Sequence, residues 1–265
     1  MITSRSNPLV KAARALRQNS GRSQAGHFLV EGIHHVGAAL EAGWQIEAVL
    51  YSPDQLKSVF AASLIEQTAT AGIRVERVSP DVMRSLAEKE NPQGLLAIVA
   101  KRRTALEDSS VATWAAALLA PQNPGNLGTI LRTLDAVAGE RLFVLDGGVD
   151  PYHPTAVRAS MGTIFTIPVI EASSEEFLAW RRAEQLYLIG SSSHAAKDYR
   201  KIAVPRPWVL ALGNEQKGLP AHFVEGCDVM VALPMRGRAS SLNLGSAAAV
   251  LLYEFTQRGS TSDSE

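Results

Sequence analysis

Cysteine is almost absent from this chain of 265 residues, since Cys227 is the only one. A single cysteine excludes an internal disulfide, and a zinc site built on thiolates needs more thiols than this. The six histidines show no metal-ligand spacing with each other or with carboxylates. We therefore expect a protein without a metal, in a reducing, cytoplasmic compartment.

Long apolar runs are also missing. No run reaches the roughly 18 apolar residues of a membrane-spanning helix. The N-terminus alternates polar and basic residues and does not build the apolar core of a signal peptide. With 46% hydrophobic and 20% charged residues, the composition is that of an ordinary globular protein. We expect neither membrane insertion nor export.

The chain has no excess of either charge, with 26 basic and 26 acidic residues. Neutrality removes the simplest argument for nucleic-acid binding, because phosphate contacts need clustered cations. The basic residues are nevertheless unevenly placed, and five precede the first acidic residue, Glu31: Arg5, Lys11, Arg14, Arg17 and Arg22. They form either a local cationic stripe or the solvated face of a helix.

The first hundred residues alternate predicted helices and strands. Apolar residues at helical spacing predict a helix over 8–18, with Asn7 as its cap, and a polar break follows at 19–21. The further predicted elements are strands at 27–30, 46–51, 73–78 and 94–100, and helices at 33–40, 53–70 and from residue 80. This pattern predicts a compact α/β unit.

A charge-rich segment that is poor in apolar residues, 101–110, predicts a linker to a second unit. Residues 259–265 predict a polar, flexible tail. Strands are predicted at 114–120, 142–145, 167–170, 186–189, 208–212 and 229–233, and helices after residue 126, at 154–161 and at 242–255. Such alternation predicts a mainly parallel sheet covered on both faces.

Three junctions between strand and loop in the second unit are rich in Asn, Gly and Pro. They span residues 121–132, 210–220 and 233–249. Ligands of parallel sheets bind beyond the carboxyl ends of the strands, so these junctions are the candidate site. The plainer interpretations are a turn capped by Asn126, an exposed loop around Glu215, and ordinary helix capping in the third junction.

Common nucleotide-binding and hydrolase motifs are absent. Lys217 precedes Gly218 and no Ser or Thr follows, so the second junction is not a phosphate-binding P-loop. No Gly-x-Gly-x-x-Gly follows the first strand of either unit, which excludes a dinucleotide-binding oxidoreductase. No Gly-x-Ser-x-Gly elbow is present, so a serine hydrolase is unsupported.

Together the three junctions resemble the three sequence motifs of the SpoU (TrmH) branch of the SPOUT methyltransferases. The matching segments are Asn126 through Arg132 for N-x-G-x-I-x-R, Gly213-Asn214-Glu215 for the glycine–acid loop, and Leu233-Pro234-Met235 with Ser241-Leu242-Asn243 for the third motif. This resemblance covers about residues 111–256. More loosely, residues 6–11 and 28–32 resemble the L30e-like RNA-binding domain that often precedes it.

The resemblance implies an α/β protein of two domains. Residues 1–100 would form an L30e-like domain that binds the RNA substrate. Residues 111–258 would form the SPOUT methyltransferase domain, with a parallel sheet and a C-terminal trefoil knot, an exception to the rule that chains are unknotted. It also implies a homodimer, and the alanine-rich helix at 246–252 is the expected place of close packing between subunits.

The implied reaction transfers a methyl group from S-adenosylmethionine to a ribose 2′-hydroxyl of structured RNA, without a metal. The implied cofactor-binding residues are Gly213, Leu233 and Leu242, whose backbones would hold the adenosine. The implied catalytic residues are Arg132, Asn126, Glu215, Ser241 and Asn243. Asn126 and Asn243 would position by hydrogen bonds, Ser241 would lie near the substrate or loop backbone, and Glu215 would fix Arg132 or a loop.

The role of Arg132 stays open between two alternatives. A guanidinium keeps its proton near neutral pH, which argues against a base. Arg132 therefore either binds the target phosphate and orients the 2′-hydroxyl, or accepts the proton after charges of a partner subunit make it acidic enough. The sequence does not choose between these roles.

The basic N-terminal arm favours ribosomal RNA, and 23S ribosomal RNA in particular, over transfer RNA. Arg158, in the segment Arg-Ala-Ser-Met-Gly-Thr, either contacts RNA or ends a helix. The alternatives are a transfer RNA 2′-O-methyltransferase and a non-catalytic RNA-binding or resistance protein with a degenerate site. The intact set of polar motif residues argues against a degenerate site.

Overall fold

The structure, a computed structural model, describes residues 1–56, 58–88 and 92–258. The predicted tail at 259–265 lies outside the described residues. The chain forms two compact units. The first contains Met1–Arg102 and Tyr152–Thr166, and the second contains Arg103–Pro151 and the chain from Ile167 onward.

The first unit is built on a four-stranded mixed sheet. Its strands, numbered in chain order like the helices, are β1 (His27–Glu31), β2 (Ile46–Tyr51), β3 (Arg74–Arg77) and β4 (Leu95–Ala100). The order across the sheet is β1-β4-β2-β3, with β4 antiparallel to both neighbours and β2 parallel to β3. The helices are α1 (Pro8–Ala15), α2 (Asn19–Ala25), α3 (Ile33–Glu41), α4 (Val59–Thr70), α5 (Pro80–Leu86) and α7 (Pro154–Ala159).

The predicted polar break after the first helix was wrong, because residues 19–25 form α2. Asn7 caps α1 as predicted, its side chain accepting a hydrogen bond from the backbone of Leu9. The guanidinium of Arg22, 1% exposed, donates to the carbonyl oxygens of Leu16 and Arg17 at 3.0 and 3.1 Å. These carbonyls follow the end of α1, so a buried arginine satisfies them and holds α2 against that end.

Aromatic packing brings residues 152–166 into the first unit. The ring of Phe28 lies 4.6 Å from that of Tyr152, centroid to centroid, and Trp44 lies 5.3 Å from Phe165. The indole N–H of Trp44 also donates to the carbonyl of Phe165 at 2.9 Å. The sequence interpretation had placed this segment within a continuous domain at 111–258. Side-chain burial, which chain order does not reveal, accounts for the difference.

The second unit contains a seven-stranded sheet in which every pairing is parallel, as predicted. The order is β7-β6-β5-β10-β8-β11-β9. The strands are β5 (Trp114–Leu119), β6 (Leu142–Leu145), β7 (Val169–Ala172), β8 (Tyr187–Ser191), β9 (Lys197–Asp198), β10 (Trp208–Leu212) and β11 (Val229–Ala232). All five residues of the central β10 are buried, which is typical of a strand covered on both faces.

The helices of this unit are α6 (Pro124–Ala136), α8 (Ser174–Ala183), α9 (Ala221–Glu225) and α10 (Leu244–Arg258). The sequence interpretation missed α8 and α9. At α8 a capping box was present in the sequence, because Ser173 and Glu176 exchange hydrogen bonds between side chain and backbone at the start of the helix. The trefoil knot that the resemblance implies stays a prediction.

Candidate active site

The first two junctions meet because β5 and β10 are neighbouring parallel strands. Leu118 and Leu212 are paired near the carboxyl ends of the two strands. Just beyond, Ala120 has a φ of 40°, a left-handed conformation that is uncommon for a residue with a side chain. Its carbonyl accepts a hydrogen bond of 2.8 Å from the side-chain amide of Asn214. Asn214 thereby ties the second junction to the first.

Glu215 makes a second connection between the same junctions. One carboxylate oxygen accepts from the backbone N–H of Gln122 at 3.0 Å, and the other from that of Asn123 at 3.2 Å and from the Asn126 side chain at 3.0 Å. Burial raises the pKa of Glu215, but these hydrogen bonds outweigh it and leave the pKa below its ordinary value. The carboxylate is therefore ionised at neutral pH and holds the loop.

The helix α6 is capped by Asn123, whose side chain accepts from the backbone of Gly125 and Asn126, and not by Asn126. Asn126 lies in the first turn of the helix, as its third residue, and is 8% exposed. Because it is not used as a cap, its side-chain amide is available to bond Glu215. The interpretation of Asn126 as a helix cap was wrong, because its side chain bonds Glu215 instead.

Asn243 connects the third junction to this network. Its side-chain nitrogen donates to the side-chain oxygen of Asn126 at 3.0 Å, and its side-chain oxygen accepts from the backbone of Gly245 at 2.9 Å. The second contact caps α10, which begins at Leu244. Helices α10 and α6 approach closely here, because a Cβ built on Gly245 would lie 3.2 Å from Thr129. All three predicted motifs thus meet through Glu215, Asn126 and Asn243.

The loop that begins at Gly213 closes on itself. Asn214 and Gly218 exchange two backbone hydrogen bonds of 3.1 and 2.9 Å. A Cβ on the buried Gly213 would lie 2.2 Å from the carbonyl carbon of Gly218, so the closure requires glycine. Leu233 is half-buried at the end of β11, and Leu242 is 43% exposed.

The segment between these leucines provides main-chain donors. Within the part of the chain that the structure describes, no hydrogen bond starts from a backbone N–H of residues 235–242. These N–H groups can bind a ligand that carries hydrogen-bond acceptors, such as the ring nitrogens of adenine. The residues present therefore fit an adenosine held by main-chain contacts.

Arg132 and Ser241, the other two predicted catalytic residues, stand outside the network. Both side chains are exposed, and Arg132 lies six residues after Asn126 along α6. Across residues 1–56, 58–88 and 92–258, neither side chain makes a hydrogen bond or ion pair. The contacts of Glu215 are with the loop at 122–126 and not with Arg132.

Sequence reasoning gave Asn123 and Asn214 no role in the site, although Asn214 lies within the second motif. Asn123 stands directly before Pro124, and an asparagine followed by a proline at the first helical position is a typical helix start. That signal could have assigned the cap to Asn123. Asn214 had no comparable signal, since its partner Ala120 is 94 residues away in the chain.

Other chemistries find little support among the described residues. No group of three or more His, Cys, Asp or Glu side chains in them could hold a metal ion. Burial raises the pKa of Cys227 to about 12, so its thiol is not a nucleophile at neutral pH. No described helix is long and apolar enough to cross a membrane.

The fold and the site define an α/β enzyme whose ligand site lies where loops meet at the carboxyl edge of a parallel sheet. Two family models match the chain: the SpoU rRNA Methylase family over residues 114–253, and the MRM3-like substrate binding domain over residues 7–97. The chain therefore belongs to the SpoU rRNA methylase family, and its N-terminal region matches a substrate-binding domain.

Similar proteins match along nearly the whole chain. A 23S rRNA (uridine(2479)-2′-O)-methyltransferase of Streptomyces viridochromogenes is 33% identical, over 96% of this chain and 90% of the relative. A 23S rRNA (guanosine(2553)-2′-O)-methyltransferase of Bacillus subtilis is 30% identical, over 95% of this chain and 97% of the relative. The structure of an AdoMet-bound rRNA methyltransferase from Sinorhizobium meliloti superposes with a TM-score of 0.89 at 34% identity, covering 98% and 97%.

Proposed function

We propose that this protein transfers a methyl group from S-adenosylmethionine to a ribose 2′-hydroxyl of 23S ribosomal RNA. Membership of the SpoU rRNA methylase family and the 2′-O-methyltransferases of 23S ribosomal RNA among its relatives support the reaction class. The observation that carries the proposal is the hydrogen-bond network from Glu215 through Asn126 to Asn243.

S-adenosylmethionine supplies an activated methyl group on a sulfonium. The protein therefore has to bind the two substrates, orient them and exclude water. Gly213, Leu233 and Leu242 would hold the adenosine, with the N–H groups of residues 235–242 as donors. Glu215 and Asn214 keep the loops at the ends of β5 and β10 together. The hydrogen bond between Asn126 and Asn243 then holds the first turns of α6 and α10 next to each other, beside these loops.

Arg132 would act on the RNA. An exposed guanidinium without a partner in the described chain is suited to bind a phosphate in a bidentate manner. We assign it the orientation of the target nucleotide, so that the 2′-hydroxyl lies in line with the methyl group. The alternative, in which Arg132 accepts the hydroxyl proton, requires charges that a partner subunit would have to provide.

Replacing Arg132 tests this assignment. Arg132→Ala should abolish methylation of a 23S ribosomal RNA transcript while affinity for S-adenosylmethionine, measured by calorimetry, stays nearly unchanged. Arg132→Lys retains the charge and loses the planar fork, so a positioning role predicts partial activity with a raised KM for RNA. Full activity of Arg132→Ala would contradict the assignment.

The RNA itself needs a direct measurement, because the two relatives act on the ribose of different nucleosides, a uridine and a guanosine. Mapping of 2′-O-methyl groups in cells lacking the gene would identify the nucleotide. Purified protein should methylate a 23S transcript and not transfer RNA. The opposite preference would favour the transfer RNA alternative.

Three further assignments belong to this proposal. The first unit would bind the RNA, in line with the match of residues 7–97 to a substrate-binding domain. The protein would form a homodimer, for which the exposed apolar side chains of Val250 and Tyr253 on α10 provide a surface. A ribosomal RNA substrate would place the protein in the cytoplasm.

A further inference from the structure

A cavity of about 880 Å³ opens in the first unit, and the proposed methyl-transfer site does not use it. It is bordered by α1, β1, the start of α3, the end of α5 and α7. All of these elements belong to the same unit. The volume is in the range of about 300–1,000 Å³ that small-molecule and cofactor sites occupy.

One wall is cationic. Lys11, Arg14 and Arg17 line the cavity from α1 and the residues just after it. The side chains of Lys11 and Arg17 are exposed and form no hydrogen bond or ion pair with any described residue. Arg14 donates to the hydroxyl of Ser85 at 3.1 Å, a neutral partner that leaves its charge uncompensated. Three positive charges therefore face one space.

The acidic residues of the cavity cancel only part of this charge. A carboxylate oxygen of Glu31 accepts from the backbone N–H of Glu88 at 2.9 Å. The carboxylate of Glu88 is ion-paired with Arg158 and accepts from the hydroxyl of Thr155 at 3.3 Å. Arg158 and Glu88 neutralise each other, so Glu31 is the one remaining acid among the described residues that line the cavity, against three cations.

The floor of the cavity is apolar, with the buried side chains of Leu29, Leu86, Leu96 and Val157. His153 stands at its edge. The backbone N–H of Thr155 can only donate, so Nδ1 of His153 accepts the hydrogen bond of 3.1 Å between them. The neutral ring therefore carries its proton on Nε2, where it can donate to a carbonyl or phosphate oxygen.

An apolar floor, a cationic wall and the N–H donor of His153 together match the chemistry of a nucleotide. The base would pack on the leucines while its phosphates contact α1. Lys11 lies within α1 and Arg17 two residues beyond its end, so the two cations can contact different phosphates of one strand. Structured RNA presents such nucleotides in loops and bulges, where bases are unstacked.

We infer that this cavity binds an unpaired nucleotide of the RNA substrate and so selects a loop or bulge. The inference rests on the proposed function and deepens it, because it assigns the recognition of unpaired RNA to named residues of the first unit. It concerns a nucleotide that is recognised, and not the one whose ribose is methylated. Arg158 belongs to the wall of the cavity, where its ion pair with Glu88 neutralises that carboxylate.

The first test removes charge from the wall. Lys11→Gln/Arg17→Gln is compared with Arg77→Gln/Arg103→Gln, which removes two exposed cations outside the cavity. Binding of a ten-nucleotide single-stranded RNA is followed by fluorescence anisotropy across a salt series. The cavity variant should bind more weakly, and its slope of log affinity against log salt should fall by about 1.4, for two lost phosphate contacts. The control should bind as the wild type does.

The second test fills the cavity without changing charge. Ala15 is exposed at the end of α1 and lines the cavity, whereas the exposed Ala12 of the same helix does not. Ala15→Trp should weaken binding of single-stranded RNA and of the 23S transcript. It should leave binding of a plain RNA duplex unchanged, and Ala12→Trp should match the wild type in both. Thermal unfolding of each variant checks that the first unit is intact.

The outcomes separate this inference from the proposed function. If the wild type methylates 23S ribosomal RNA but both cavity variants bind RNA normally, the inference is overturned and the proposed function stands. The inference would also be overturned if the protein bound free uridine monophosphate or adenosine monophosphate as tightly as the RNA. In that case the neighbouring nucleotides of the strand would contribute nothing to binding. If the wild type methylates no RNA, the proposed function fails, and the binding data still decide the cavity.

Discussion

At the scale of single residues, the carboxylate of Glu215 joins the second junction to the loop at 122–126. It accepts three hydrogen bonds from the loop at 122–126, which lower its pKa despite partial burial. Its residue type could be selected from the sequence because an acid between glycines after a strand is unusual. Its partners could not, because they lie about 90 residues earlier in the chain.

A first prediction concerns Glu215→Gln. A glutamine offers one acceptor oxygen and an amide that cannot accept from the N–H groups of Gln122 or Asn123, so the loop should loosen and methylation should fall sharply. The folded protein lowers the pKa of Glu215 below the ordinary value of about 4.3 that it has in the unfolded chain. The ionised carboxylate therefore stabilises the fold above about pH 4.3, and this stabilisation is lost as the pH falls through the lowered pKa. The melting temperature of the variant should therefore depend less on pH below about 4.3.

The control is Glu225→Gln on α9, since Glu225 is exposed and its side chain makes no hydrogen bond or ion pair with the described residues. It should keep both activity and the wild-type pH profile. Identical acid profiles for Glu215→Gln and the wild type would refute the role of this carboxylate in holding the loop.

At the scale of elements, the closed loop after β10 depends on the absence of a side chain at Gly213. A Cβ there would collide with the backbone of Gly218 at 2.2 Å, and backbone cannot move aside as the tip of a long side chain can. Gly213→Ala should therefore open the loop and weaken binding of S-adenosylmethionine, as measured by calorimetry, with a lower melting temperature.

Gly37→Ala is the matched control for this prediction. Gly37 lies inside α3, and a Cβ there meets only side-chain atoms at 3.9 Å or more. Because alanine is the better helix former, the variant should gain roughly 0.5–1 kcal/mol of stability and bind the cofactor normally. Normal cofactor affinity in Gly213→Ala would show that the loop does not need its glycine.

Most strands were predictable because apolar runs of four to six residues identify them, as at β2 and β10. The helices that were missed lacked a strong apolar pattern. In α2 polar residues dominate, and the helix exists because Arg22 bonds the end of α1. Because a tertiary contact stabilises this helix, the local sequence does not predict it.

At the scale of the whole molecule, the proposed homodimer leads to a prediction on α10. Val250 and Tyr253 are three residues apart on this helix and 39% and 49% exposed. Val250→Glu/Tyr253→Glu would force charges into an apolar contact, which is costly without partners. The variant should sediment as a monomer and lose methylation, if the wild type sediments as a dimer.

Val59→Glu is the control, because Val59 is an apolar residue of the first unit that is 89% exposed. It should sediment as the wild type does and retain activity. A fully active monomer, in either the wild type or the double variant, would contradict a homodimer that methylation requires.

By itself, the sequence determined the α/β class, the parallel sheet of the second unit and the three segments that make up the proposed site. These follow from local periodicity and from unusual clusters of Asn, Gly and Pro. The tertiary structure alone decided which of those polar residues touch, that Asn126 is a member of a network and not a cap, and that residues 152–166 belong to the first unit. The reason is that hydrogen bonds and aromatic burial join residues far apart in the chain, and no local pattern records them.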